Sequence, residues 1–91
     1  MFSVIETRDG VQTAEMRLRK GEESGPFGNE HADSAQILFV HSGAVDAEVG
    51  DRRFRLRAGE SAVVSKNMPH RFIGASEEVA VTFNVYAPPA Y

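Results

Sequence analysis

Residues 25–43 read GPFGNEHADSAQILFVHSG, and this stretch decides how the whole chain is interpreted. It opens as a loop rich in Gly, Pro and Asn, places His31 before an apolar run, and closes on the turn residues Ser42-Gly43. A short apolar run between turn signals is typical of a buried strand. A loop that presents an imidazole, and then the Gln36 amide, at the start of such a strand can point polar groups into a small barrel.

The length and composition predict one globular domain over residues 1–91, with its core in about 11–86. Hydrophobic residues make up 42% and charged residues 25% of the chain, which is ordinary for a globular protein. The formal net charge of −3 argues against general nucleic-acid binding, which needs a clustered excess of Lys and Arg. No apolar run reaches the roughly 18–20 residues that span a bilayer, so we expect no membrane partner.

The remaining global features concern location and assembly. The N-terminal residues lack the basic and apolar regions of a signal peptide, so we expect a cytoplasmic protein. The chain has no cysteine, which excludes disulfides, thiolate nucleophiles and thiolate metal ligands. A chain this short has a modest core, and association would bury more apolar surface. We therefore expect a homodimer.

Alternation of apolar and polar residues with a period of two recurs along the chain, and this pattern predicts strands. In Gln12 to Arg19, for example, Ala14, Met16 and Leu18 fall on one face. No segment has the sustained spacing of an amphipathic helix. Eight short strands at intervals of about ten residues indicate an all-β sandwich or barrel. The predicted strands are Phe2 to Glu6, Gln12 to Arg19, Gln36 to Val40, Ala44 to Val49, Arg52 to Arg57, Ser61 to Ser65, His70 to Ile73 and Glu78 to Tyr86.

Two of the three histidines share a setting that suits metal binding. His31 and His70 each follow a turn-forming loop and stand at the start of an apolar strand. If Gln36 points inward, alternation turns His41 outward. Imidazole nitrogens and amide oxygens are metal ligands, so His31, Gln36 and His70 on facing strands could hold a divalent ion with positions open for substrate. The other interpretation is that both histidines are hydrogen-bonded rim or core residues.

These residues fall at the spacing of two known motifs, GxxxxxHxHxxx(x)ExxxxxxG and GxxxxxPxGxxHxxxN, and the chain resembles a small single-domain cupin. The matching residues are Gly25, His31, Gln36 and Gly43 in the first motif and Gly59 and His70 in the second. The resemblance covers residues 11–86. It implies a double-stranded β-helix, the cupin or jelly-roll-like barrel.

The resemblance also implies a metal centre, although Gln36 replaces the cupin glutamate. In one alignment His31 is the first histidine of the motif, Asp33 stands where the second belongs, and the gap to Gln36 is one residue short. In the other, His31 is the second histidine and Asn29 replaces the first, and we prefer this alignment because it needs no deletion. Both imply that His31, Gln36 and His70 bind a divalent Fe, Ni, Mn or Zn ion, with Asn29 or Asp33 as a fourth ligand.

The resemblance implies a pocket at this end of the barrel and leaves three functions open. The pocket would be lined by Leu38, Val40, Met68 and Phe72, although core packing is the more common use of residues such as Met68 and Phe72. The first function is a metal-dependent enzyme, of dioxygenase or isomerase type, acting on a small organic molecule. The second is a non-catalytic module that binds or senses a small ligand and carries a degenerate metal site. The third is a dimeric scaffold with a vestigial pocket.

A basic ladder of Arg53, Arg55 and Arg57 follows the hairpin turn Gly50-Asp51. It could bind an anionic substrate, but a run of charges on one strand face is usually solvated. Acidic residues on the preceding arm offer partners across the hairpin, each pair worth a few tenths of a kcal/mol. Those acidic residues are Asp46 and Glu48.

Two further features lie close to the expected site in sequence. Glu30 could take a proton from a substrate, since a carboxylate beside a metal can act as a base, but strand alternation with His31 turns it elsewhere. The tail Tyr86 to Tyr91 contains Pro88-Pro89, which ends regular strand pairing. We interpret the tail as an extended strap across the barrel or a dimer seam, with disorder as the alternative.

Overall fold

The computed structural model describes residues 1–91 of the protein, which form eight β-strands and no helix. No element of the chain is therefore a helix that could span a membrane. Every predicted strand is present, with its ends within two residues of the predicted positions. The strands are β1 (Phe2–Arg8), β2 (Val11–Leu18), β3 (Ala35–Ser42), β4 (Ala44–Val49), β5 (Arg52–Arg57), β6 (Ser61–Val64), β7 (His70–Gly74) and β8 (Ala80–Ala87).

The strands form two antiparallel sheets around one core. One sheet has five strands in the order β1-β2-β8-β3-β6, and the other has three in the order β5-β4-β7. The chain crosses between the sheets after β3, β5, β6 and β7. This arrangement is the double-stranded β-helix that the sequence predicted.

The core is apolar in its middle and polar at one end. Twelve buried apolar residues from both sheets form one cluster, whose burial is the main favourable contribution to folding. Toward one end of the five-stranded sheet the inward side chains become polar. There Gln12 on β2, Tyr86 on β8 and Gln36 on β3 lie side by side in one row across the sheet.

A stretch of backbone after β2, residues 20–28, runs beside β7 and joins the two sheets. This segment does not form a regular strand, but it exchanges backbone hydrogen bonds with β7 along its length. The bonds include, with the amide donor first, Gly21 to Gly74 (2.8 Å), Ser24 to Phe72 (2.7 Å) and His70 to Gly28 (2.9 Å). The pairing carries the chain from β2 to the polar end of the barrel.

The pairing depends on a close approach at Gly74. A Cβ atom at this position would overlap the backbone carbonyl of Arg19, which cannot rotate away as a side chain could. The sequence therefore needs glycine here for its small size, since the backbone of Gly74 lies outside the left-handed region.

We expect Gly74→Ala to destabilise the protein by at least about 2 kcal/mol, because the new methyl group forces the two backbones apart. Urea unfolding followed by circular dichroism measures the loss. Gly28→Ala is the matched control on the same paired segment, because the nearest atom to its Cβ would be 3.8 Å away. Equal stability of the two variants would contradict this account of the close approach.

Candidate functional site

A cavity of about 240 Å³ lies at the polar end of the barrel. This volume is below the roughly 300–1,000 Å³ typical of pockets for drug-sized ligands, so a ligand would have to be compact. Half of the lining is apolar and half carries polar groups. The lining residues are Phe2, Met16, Ser24, Glu30, His31, Gln36, His70, Phe72, Tyr86 and Tyr91.

Two imidazole rings meet in this cavity. His70 is the first residue of β7, and the Gly28–His70 bridge holds the loop that leads to His31 against it. The ring centroids of His31 and His70 are 4.5 Å apart with an interplanar angle of 44°. Each residue is only 9% exposed. The fold thus brings together two histidines that are 39 positions apart in the sequence.

The hydrogen bond of His70 leaves one ring nitrogen available to a ligand. Its Nδ1 lies 2.9 Å from the carbonyl oxygen of Met68, which can only accept, so Nδ1 carries the proton and Nε2 has a lone pair. Burial lowers the pKa of His70 below its usual 6.5, and the neighbouring His31 lowers it further, against the Met68 carbonyl and the Glu30 carboxylate. The ring is therefore neutral at pH 7, the form in which it binds metals.

Gln36 presents an unpaired oxygen at the same end of the barrel. Its Nε2 donates to Asn84 Oδ1 at 3.2 Å and to the Tyr86 hydroxyl at 3.3 Å. Asn84 in turn donates from Nδ2 to Thr82 Oγ1 at 3.1 Å, which turns its Oδ1 toward Gln36. The buried Oε1 of Gln36 accepts no hydrogen bond. Leaving such an acceptor unpaired costs about 1–3 kcal/mol, so this oxygen suits a ligand that is a cation or a donor.

The tail crosses the mouth of the barrel, as the strap interpretation predicted. The buried Gln12 amide holds it, since Oε1 accepts from the amides of Ala90 (3.0 Å) and Tyr91 (2.9 Å) and Nε2 donates to the Tyr91 carbonyl (2.8 Å). The Tyr91 ring then packs 4.7 Å from Phe2 and 5.2 Å from Tyr86, measured between centroids. One wall of the cavity therefore comes from the tail.

Both tail tyrosines remain protonated at neutral pH. Burial, together with the adjacent Tyr91 phenol, raises the pKa of Tyr86 far above its usual 10. Burial and the Glu30 carboxylate raise the pKa of Tyr91. Neither phenol contributes negative charge to the cavity.

Sequence comparison assigns the family. The cupin domain family model, Cupin_2, matches residues 14–86, which is most of the chain. The chain belongs to the cupin family. A comparison of this cupin with curated protein sequences finds no match.

Solved structures confirm the cupin fold. A Bacillus halodurans protein is 19% identical, with a TM-score of 0.91 over 99% of this chain and 71% of its own. KdgF from a Halomonas species is 17% identical, with a TM-score of 0.85 over 97% and 79% of the two chains. A Klebsiella pneumoniae protein with a double-stranded β-helix domain is 20% identical, with a TM-score of 0.86 over 100% and 79%. At these identities the similarity establishes the fold alone.

The cupin barrel brings His31, Gln36 and His70 to one cavity, but leaves both suggested fourth ligands outside it. Asn29 is exposed, and its Nδ2 donates to Asn67 Oδ1 at 2.6 Å. Asp33 is also exposed and does not line the cavity. Both flank His31 in a turn, where side chains of nearby residues diverge. No three His, Cys, Asp or Glu side chains come close enough together to form a metal site.

Of the four residues expected to line the pocket, only Phe72 does so. Leu38 and Val40 share the inward face of Gln36, but each step of two residues moves about 6.6 Å along the strand, so both lie in the core below the cavity. Met68 also packs against the core. Alternation thus gives the inward direction of Leu38 and Val40, and their position along the strand places them in the core.

Several lining residues were not expected. Glu30 was assigned away from the site by strand alternation, but residues 30–33 form a turn, where a period of two does not apply. Tyr86 could have been found, because the alternation Thr82, Asn84, Tyr86 places three polar residues on the inner face of β8. The position of Tyr91 depends on hydrogen bonds to the distant Gln12, and no pattern in the residues around Tyr91 indicates it.

The basic ladder lies outside the cavity and is paired as the sequence predicted. Arg55 contacts Asp46 at 2.8 Å, and Arg53 approaches Glu48 at 4.0 Å across the β4–β5 hairpin. Arg71 on β7 also contacts Glu48, at 2.7 Å, and is half-buried. The acids thus occupy most of the ladder.

We expect the stability of the metal-free protein to fall as the pH is lowered through about 6.5. Folding lowers the pKa of His70, so below the pKa near 6.5 of the unfolded chain the unfolded state binds more protons. The free energy of unfolding should fall by up to about 1.4 kcal/mol per pH unit and recover above that pH.

Urea unfolding in the presence of a chelator, at pH values from about 8 down to about 5.5, measures this slope. His70→Gln should flatten the slope between pH 7 and 5.5, whereas His41→Gln, on the exposed outer face, should keep it. An unchanged slope in His70→Gln would rule out His70 as the origin.

Proposed function

We propose that this cupin binds a divalent metal ion (iron, nickel, manganese or zinc) at His31, His70 and Gln36, and that it is a metal-dependent enzyme of dioxygenase or isomerase type. Its substrate is a small organic molecule. The observation that carries the proposal is Gln36, which lines the same cavity as two imidazole rings and whose buried Oε1 has no hydrogen-bond partner.

The donor chemistry of the three residues fits such an ion. Imidazole nitrogens suit Zn, Cu, Fe and Ni, and an amide oxygen adds a harder ligand. His70 has a free Nε2 lone pair, and the Asn84 contact turns the nitrogen of Gln36, rather than its oxygen, into the interior network. The ion would supply Lewis-acid or redox chemistry, and three protein ligands would leave positions open for a substrate.

The other lining residues would orient the substrate and exclude water. Phe2, Tyr91 and Phe72 offer apolar contact surface, and Tyr86 places a hydroxyl beside the Gln36 amide. The lining contains no lysine or arginine. An anionic group on the substrate would therefore have only the metal as a positive partner. This favours substrates that carry no charge beyond the group that binds the metal.

A second candidate function is non-catalytic binding or sensing of a small ligand. It is favoured by the neutral amide at position 36 and by the absence of three His, Cys, Asp or Glu side chains at metal-binding distance. In this case the unpaired oxygen of Gln36 would accept a hydrogen bond directly from a donor group of the ligand. The same cavity and the same volume limit would apply.

The wild-type protein should bind about one equivalent of metal in calorimetric titrations with Ni²⁺, Mn²⁺ and Zn²⁺. His31→Ala and His70→Ala each remove a nitrogen ligand and should weaken binding at least tenfold. His41→Ala is the control, because that histidine lies on the outer face of β3. Elemental analysis of untagged protein would identify the ion acquired in the cell.

No binding by the wild type at micromolar metal would reject the metal proposal and leave the small-ligand module. Native mass spectrometry of the purified protein would then show a retained organic molecule. Oxygen-dependent turnover with the bound metal would favour a dioxygenase, whereas turnover without oxygen would favour an isomerase.

A further inference from the structure

The three proposed ligands are all neutral, which is unfavourable for a divalent ion in a largely buried site. Desolvating an ion costs several kcal/mol unless an opposite charge compensates it. Gln36 carries no charge where the cupin motif has a glutamate. A carboxylate elsewhere in the cavity would compensate the charge of the ion.

Glu30 is the one acidic residue in the cavity lining, where it accompanies His31, Gln36 and His70. None of the ion pairs of the structure involves it. Its charge nonetheless acts on the cavity, since it favours the protonated forms of His70 and Tyr91. The carboxylate thus lines the same cavity as the candidate ligands and is not paired with another cation, although in its present position it does not form a three-residue metal site with the two histidines.

Glu30 is exposed, so its side chain is not packed on all sides. It now lies against Gly25, where a Cβ atom would overlap Oε1 of Glu30. Residues 30–33 form a turn, so Glu30 and His31 are not forced to opposite faces as they would be in a strand. Binding of a metal by Glu30 would require its side chain to rotate from Gly25 toward the imidazoles.

We propose that Glu30 is a ligand of the metal and supplies the negative charge of the centre, in place of a glutamate at position 36. The site then consists of His31, His70, Gln36 and Glu30. This inference rests on the proposed metal-binding function and assigns the fourth group to a residue outside the glutamate position of the motif. Glu30 is preferred over Asn29, whose amide is bonded to Asn67, and over Asp33, which lies outside the cavity.

A charge-exchange series of variants tests the assignment by metal affinity rather than by activity. Glu30→Gln should weaken Mn²⁺ and Ni²⁺ binding at least tenfold in calorimetric titrations. The double variant Glu30→Gln, Gln36→Glu should regain most of the affinity, because it returns the carboxylate to the motif position. Asp33→Asn, an acidic residue in the same turn, is the matched control and should bind as the wild type does.

The outcomes separate this inference from the function on which it rests. Wild-type affinity in Glu30→Gln, with a metal bound by the wild type, would overturn the role of Glu30 alone. Weakening by Asp33→Asn instead would assign the carboxylate to Asp33 and would also overturn it. No metal binding by the wild type would reject the metal centre as a whole. Thermal unfolding of each metal-free variant verifies that it is folded.

Discussion

The structure depends on the backbone pairing between residues 20–28 and β7. The pairing is possible because Gly74 has no side chain to keep the two backbones apart. It closes the gap between the sheets and leads the chain to the end of the barrel where His70 begins β7. Together with the hydrogen bond from the Asn67 amide to the Ala32 carbonyl, it fixes the position of the loop that carries His31. Main-chain contacts thus help to set the geometry of the cavity, and they include backbone atoms of the lining residues Ser24, His70 and Phe72.

The barrel combines a stable apolar centre with a polar end that is costly to bury. The Thr82, Asn84 and Gln36 side chains form a hydrogen-bonded chain in the interior of the five-stranded sheet. Each member is satisfied by the next until the chain reaches the Gln36 oxygen. The direction of donation along these hydrogen bonds matters, because it uses the Nε2 of Gln36 as a donor and leaves its Oε1 without a partner. The hydrogen bonds of the buried Thr82, Asn84 and Gln36 side chains thus determine that an acceptor oxygen is left unpaired at this end of the barrel.

The fold was predictable because every strand shows a period of two, and the spacing of turn residues limited the strand ends to within two positions. That His31, Gln36 and His70 lie near one another was also predictable, because the motif spacing places these residues at or just before the starts of strands that meet at one end of the barrel. The position of a residue along the barrel axis was not predictable, because strand alternation gives only the face on which a side chain lies. For that reason alternation could not show that Leu38 and Val40 lie below the cavity. Glu30 was not predictable either, because alternation rules fail in turns.

The Gln12 amide has a consequence for how such a cavity can change. It binds the tail through backbone atoms of Ala90 and Tyr91 and ignores their side chains. The hydrogen bonds that attach the tail therefore do not depend on which side chains stand at positions 90 and 91. A different side chain at position 91 would reshape the ceiling of the cavity while the barrel and the histidines stayed in place. Ligand preference in this molecule could therefore change through the side chain at position 91 while the backbone attachment of the tail is kept.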